Sequence, residues 1–204
     1  MKTAFFGGTF DPVHAGHLAL AREVLKQGRA DRILFVPAPV PPHKDSAEIT
    51  PFEHRLNMVR LAVRNEEGFL WSDLEKNRKG KSYTIDTLAE LSIDGSFGEI
   101  LLLIGSDSLR QLHLWFRAHE LVHDYGLIVY PRRHEPVQRE ELRKHWSAEE
   151  TEKLFGSVMG SAPEFPISST QIRKLVKKNG AKSVSAFVSP EVTGYIMKNG
   201  LYLQ

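Results

Sequence analysis

The sequence predicts an α/β fold, a doubly wound, Rossmann-like parallel sheet with a small C-terminal helical part. Two observations carry that prediction. Short apolar runs alternate with helical patterns along most of the chain, which is the signature of βαβ units. Glu99-Ile100-Leu101-Leu102-Leu103-Ile104-Gly105 is apolar on both faces, as a strand covered by helices on both sides must be.

Each element has its own signal. Ala4-Phe5-Phe6 reads as the buried end of a first strand, and Gly7-Gly8 as a sharp turn. Leu18, Leu20, Ala21, Val24 and Leu25 then recur at helical spacing, with Gly28 as the stop. Arg32-Ile33-Leu34-Phe35-Val36 is a second strand, followed by the proline-rich Pro37-Ala38-Pro39-Val40-Pro41-Pro42-His43-Lys44. Four prolines fix φ and remove donors, so that stretch is a stiff loop. Thr50-Pro51-Phe52-Glu53 reads as a capping box opening a helix to about Arg64, and Phe69-Leu70-Trp71-Ser72 as a third strand. A helix starts at Ser82-Tyr83-Thr84, and Leu127-Ile128-Val129-Tyr130 is a fifth strand ended by Pro131-Arg132-Arg133. Residues 138–155 look like exposed, charged helix. Ser168-Ser169-Thr170-Gln171 is a second capping box, and Ser189-Pro190-Glu191 caps a last helix. The reading is one domain over 1–204, with a helical part over about 166–204.

Composition narrows the function classes. Lys plus Arg number 27 against 25 Asp plus Glu, a net charge of +2. That balance gives no bulk attraction to nucleic acid or membrane. The absence of cysteine excludes disulfides, thiol catalysis and cysteine-bound metal. No targeting pattern precedes the first strand, and no apolar run approaches a membrane span, so a cytoplasmic protein is the expectation.

The chemistry concentrates where loops leave the carboxyl ends of predicted strands, at 7–17, 37–44 and 105–108, which should converge. A glycine turn running into a helix N-terminus suits an anion, although an ordinary tight βα turn looks the same. His14 and His17 flank Gly16, which removes a side chain where a flat ligand could lie against the helix. As loop histidines they can merely cap that helix; as zinc ligands they lack partners and an intervening glutamate. Lys44 ends the stiff loop, and Ser169, Thr170 and Arg173 form a second anion-ready helix start. Trp115 is core or a ligand platform.

Gly7-Gly8-Thr9-Phe10-Asp11-Pro12-Val13-His14-Ala15-Gly16-His17 resembles the first signature of the nucleotidyltransferase superfamily with paired His-x-Gly-His histidines. Ile167-Ser168-Ser169-Thr170-Gln171-Ile172-Arg173 resembles its second. Pro41-Pro42-His43-Lys44, Ser82 to Leu88, and Ile104-Gly105-Ser106-Asp107 with Trp115 resemble bacterial nicotinate-nucleotide adenylyltransferases.

The resemblance implies transfer of AMP from ATP to nicotinate mononucleotide, giving deamido-NAD and pyrophosphate in NAD biosynthesis. It implies His14, His17, Lys44 and Arg173 as catalytic residues. ATP would meet Gly7, Gly8, Thr9, Phe10, Gly16, Gly105, Asp107, Ser168, Ser169 and Thr170 as well. Thr9, Lys44, Tyr83, Thr84 and Trp115 would hold the mononucleotide. Mg²⁺ would come with ATP, with no protein metal ligands. Nucleic acid and membrane are not expected partners, and a homo-oligomer stays open. Alternatives are nicotinamide mononucleotide or phosphopantetheine as acceptor, or a non-catalytic nucleotide-binding regulator. Asp11 and residues 135–155 receive no role.

Overall fold

The computed structural model describes residues 1–39, 49–78, 82–132, 136–163 and 165–203. Five parallel strands form one sheet in the order β3-β2-β1-β4-β5. They are β1 (Lys2–Gly8), β2 (Arg32–Pro37), β3 (Phe69–Trp71), β4 (Glu99–Gly105) and β5 (Gly126–Tyr130). Helices α1 (Ala15–Lys26), α2 (Phe52–Val63), α3 (Thr84–Asp94), α4 (Ser106–Gln111) and α5 (Ala118–Asp124) connect them. Then follow α6 (Arg139–Leu142), α7 (Ala148–Gly156), α8 (Ser169–Asn179) and α9 (Pro190–Lys198).

Strand alternation sorts side chains onto two cores. Ala4, Phe6, Ile33, Phe35, Leu101 and Leu103 meet α1, α2, α8 and α9 on one face. Phe5, Leu34, Val36, Leu102 and Ile104 meet α3, α4, α5 and α7 on the other. With both faces covered, adjacent strand residues are all apolar, which is why β2 and β4 read as continuous runs. Each such fully buried side chain contributes on the order of 1.5–3 kcal/mol.

Two local expectations are corrected. Residues 138–155 are not one exposed helix: α6 sends Leu142, the turn after it Trp146, and α7 Leu154 into the second core. Thr50 does not cap α2. The cap position is Pro51, which makes no side-chain bond, and the Thr50 amide donates instead to Asp11 Oδ2 at 3.2 Å. A buried carboxylate took that amide out of the local capping pattern.

The strand pairing also opens the ligand crevice. β1 and β4 pair from Lys2–Glu99 to Phe5–Leu102, yet β1 runs on to Gly8 and β4 to Gly105. Their carboxyl ends splay, at the point where strand order reverses about β1, and such a point is where doubly wound sheets take ligands.

Arg55, on α2 and only 1% exposed, ties the surrounding loops. Its Nε donates to the Thr50 carbonyl at 2.8 Å, and Nη1 to those of Thr9 (2.7 Å) and Ala38 (2.8 Å). Nη2 donates to Pro39 O at 2.9 Å. Burial lowers the Arg55 pKa, and the Asp11 charge opposes that. One cation therefore joins the loop after β1 to the loop after β2. Arg55→Met should strand four carbonyls and leave Asp11 without its cation, destabilising the fold by about 3 kcal/mol or more in urea unfolding. A loss below about 1 kcal/mol would show the loops to be held by something else.

Candidate active site

The crevice starts at α1. His14 is extended (φ −145°, ψ 172°) and caps the helix, its Nδ1 accepting the Gly16 N–H at 3.1 Å. His17 Nδ1 in turn accepts the His14 N–H at 3.2 Å. Two imidazoles thus build the reciprocal capping box that a serine and a glutamate usually build. An accepting Nδ1 assigns the proton of each neutral ring to Nε2, so both present an N–H donor. The rings lie 3.8 Å apart at 36°. Burial, and then the Arg132 charge, lowers His14 to about 4. Burial, the neighbouring His14 and Arg132 hold His17 well below the ordinary histidine range. At neutral pH both are uncharged donors.

Phe10 sits beneath. Its ring is buried, edge-on to Phe6 at 5.5 Å and to His17 at 5.1 Å. It props the His17 ring, and a Gly8 side chain would meet it at 3.0 Å. Its backbone has φ 47°.

Across the crevice, Gly105 caps α4 and Asp107 lies in its first turn. The Asp107 carboxylate pairs with Arg132 Nε at 2.9 Å, and Arg132 Nη2 donates to the Tyr130 hydroxyl at 3.0 Å. A Cβ on Gly105 would run into this pair and lie 3.0 Å from Tyr130 Cζ. The glycine is there for the pair's sake.

The α8 N-terminus docks against the first loop. Ser168 and Gln171 form the expected capping box, with the Ser168 amide donating to Gln171 Oε1 at 2.8 Å. Ser169 Oγ donates to Pro12 O (2.9 Å), Arg173 Nη1 to Asp11 O (2.8 Å) and Arg173 Nη2 to Thr170 Oγ1 (3.4 Å).

Beside the first loop and the β4–α4 turn lies a cavity of about 600 Å³, lined among others by Gly7, Gly8, Thr9, His17, Gly105 and Arg132. Glu75, Tyr83, Thr84, Trp115 and Phe116 line it as well, whereas His14, Asp107 and the α8 start stand outside its lining. Tyr83 packs against Phe116 with centroids 4.4 Å apart and the rings tilted by 32°. The lining combines N–H donors and a cation with aromatic rings. That pairing suits a substrate with phosphates and a flat ring.

A cytidylyltransferase-like family model matches residues 5–175, which span the whole crevice. The chain belongs to that family. A probable nicotinate-nucleotide adenylyltransferase of Caldicellulosiruptor saccharolyticus is 39% identical over 206 residues, covering 99% of each chain. The nicotinate-nucleotide adenylyltransferase of Bacillus subtilis is 34% identical over 201 residues, 98% of each. The Plasmodium falciparum nicotinic acid mononucleotide adenylyltransferase complexed with NaAD shares the fold, with a TM-score of 0.77 at 22% identity, covering 98% of this chain and 97% of that one. Within its family the chain stands with the nicotinate-nucleotide adenylyltransferases, and it is a nucleotidyltransferase enzyme.

Against that family frame, the structure redistributes several expected roles. Gly16 is not open to a flat ligand: a Cβ there would lie 2.9 Å from His14 Cε1 and 3.1 Å from Phe165 Cβ. The space is filled by the ring that caps the helix. Ser169 and Arg173 hold the first loop with their side chains, as the bonds above show. Lys44 lies outside the described residues. Asp11 gains a role: it is buried, accepts the Tyr202 hydroxyl at 2.7 Å on Oδ1, and binds the Thr50 amide on Oδ2. Burial and the Asp11 charge raise the pKa of Tyr202.

Arg55, Arg132 and Glu75 were missed by the sequence reading. Arg132 had a signal, an arginine directly after a strand's carboxyl end. The other two look like helix and loop surface residues.

Among the described residues no three His, Asp or Glu side chains converge on a metal-sized gap. Asp11 and Asp107 are committed to Tyr202 and Arg132. This donor set fits a cation that arrives on substrate phosphates and water. His119-Glu120-Leu121-Val122-His123 on α5 has zinc-protease spacing, but Glu120 is ion-paired with Arg117.

The depressed histidines make stability pH-dependent. An unfolded His14 binds its proton near pH 6.5 and the folded one only near 4. Its contribution is complete above about 6.5 and falls by about 3 kcal/mol as pH drops to 4. His14→Asn keeps an acceptor at the cap without the titration. Between about pH 7 and 5, denaturant unfolding should show the parent losing about 2 kcal/mol more than the variant. Equal losses would mean His14 is not the titrating group.

Proposed function

We propose that this chain joins the AMP moiety of ATP to nicotinate mononucleotide, releasing pyrophosphate and deamido-NAD. The observation that carries it is one crevice lined by the neutral His17 and by Arg132 together with Tyr83, Thr84 and Trp115. The acceptor named for the curated relatives supports that pairing.

The attacking group is a phosphate monoester oxygen, with a second pKa of about 6, so it arrives ionised and needs no general base. It forms a bond to the α-phosphorus as the bond to the β-phosphate oxygen breaks. The chain's task is to hold the two phosphates in line and receive charge on the leaving group. His17 and His14 Nε2–H groups, with Gly8 and Thr9 at the turn, hold the ATP phosphates. Arg132 adds the positive charge, and the α8 start receives the β and γ groups, with Arg173 and Lys44 as further cations. Gly105 and Asp107 lie along the adenosine. Mg²⁺ arriving with the triphosphate would supply charge neutralisation during transfer.

At the other end, Trp115 packs on the pyridine ring. α3 begins at Tyr83 with no side-chain cap, so its first N–H groups stay available to a carboxylate. That favours nicotinate over nicotinamide mononucleotide. We read residues 1–204 as one domain with its helical part over about 166–204, acting on small molecules in the cytoplasm. Among the described residues no helix is long and apolar enough to cross a membrane.

Pyrophosphate release with ATP and Mg²⁺ should be fastest with nicotinate mononucleotide, ahead of nicotinamide mononucleotide and phosphopantetheine. Release with none of the three would overturn the reading. His17→Ala should lower kcat about 100-fold or more in a chain that still folds, with stability reduced by the lost capping bond. Near-normal turnover would remove His17 from the reacting phosphates.

A further inference from the structure

The first turn of α3 has an unusual support. Helices α1, α7, α8 and α9 each begin under a side-chain cap from His14, Ser147, Ser168 and Ser189. α3 has none, as α2, α4, α5 and α6 have none, and Tyr83 at its cap position packs its ring on Phe116. An uncapped turn frays unless something outside the helix fixes it.

That anchor is Thr87, one turn in and fully buried. Its hydroxyl donates to Glu75 Oε1 at 2.6 Å and accepts from Arg78 Nη1 at 2.6 Å. Arg78 Nη1 also reaches Ser82 Oγ at 3.0 Å, and Nη2 reaches Glu90 at 2.7 Å. Glu75 is itself 5% exposed and lines the cavity beside Tyr83 and Thr84.

A buried carboxylate on the wall of a pocket for an anionic ring is costly alone. Here a cation reaches it through one hydroxyl, so a polarised arginine–hydroxyl–carboxylate chain spans from the pocket wall to Ser82. It fixes the segment that carries Tyr83 and Thr84 without occupying their N–H groups.

We propose that Glu75, acting through Thr87 and Arg78, is a positioning residue for the acceptor mononucleotide. The chain holds the open first turn of α3 at the ring end of the crevice and keeps the Glu75 charge matched. This rests on the acceptor reading above. Loss of the hydroxyl weakens the acid acceptor through both a looser turn and an uncompensated carboxylate, while ATP at the far end is untouched.

Thr87→Val removes the hydroxyl at constant shape, and Thr87→Ser keeps it. Steady-state kinetics of Thr87→Val should show KM for nicotinate mononucleotide raised about tenfold, with KM for ATP within about twofold. The preference for the acid over the amide acceptor should narrow as well. Thr87→Ser should return KM close to the parent value. Glu75→Leu should raise that KM less than Thr87→Val, since it loosens the turn but leaves no uncompensated carboxylate, and the double variant should be no worse than Thr87→Val. Equal rises in both KM values, an unchanged KM in Thr87→Val, or additive effects in the double variant would each overturn the proposal. If Thr87→Val does not fold, a tenfold KM rise in Thr87→Ser would overturn it, and parent-like kinetics would support it. Failure of the acceptor reading shows separately, as no pyrophosphate release by the parent with nicotinate mononucleotide.

Discussion

The arrangement hangs on a guanidinium with no access to water. Arg55 satisfies four loop carbonyls from α2, where an apolar side chain of its size would satisfy none. A buried cation costs several kcal/mol in desolvation, and only full hydrogen bonding with a counter-charge offsets it. Asp11 is that counter-charge, and it binds outward to Tyr202 and Thr50. Its own carbonyl takes Arg173, and the next carbonyl takes Ser169. The turn after β1, the loop after β2, α8 and the chain beyond α9 are therefore held by one polar cluster. The loop after β1 buries Phe10 and Val13 below and is fixed from behind by this polar cluster.

His14 and His17 show the same economy. Each uses one ring nitrogen to finish the helix and leaves the other as a donor. The capping bonds fix the tautomer, and the fixed tautomer fixes where the N–H points. The Phe6–Phe10 pair beneath sets the tilt of the His17 ring. Structure and site are one set of contacts here, so a substitution at either histidine acts on both.

The sheet was legible because its rules are local. Runs such as Leu101 to Ile104 can only be buried strand, and Ser168 with Gln171 or Ser189 with Pro190 mark helix starts by short-range chemistry. Long-range chemistry is where reading failed. Thr50 has every local mark of a cap, yet Asp11, 39 residues away, holds its amide. Arg55 reads as the polar face of an amphipathic helix, and nothing nearby says that four carbonyls converge on it. Gly16 reads as space for a ligand, whereas the His14 ring fills that space. Glu75 and Thr87 sit 12 residues apart across a charged stretch, and only the fold brings them within hydrogen-bond reach.

The neutrality of the histidines bears on how such a site turns over. Two imidazolium rings 3.8 Å apart beside Arg132 would repel one another strongly in a partly dry crevice. A fixed cluster of positive charge would also grip ATP and pyrophosphate as firmly as the transition state, and uniform binding does not raise kcat. Neutral N–H donors held by capping bonds act differently. Their energy depends on direction and distance, so it grows where charge moves onto an oxygen in line with them. A counter-ion carried in by the phosphates would leave with the product. Preorganised dipoles stay behind in the fold, set by the same bonds that end the first loop.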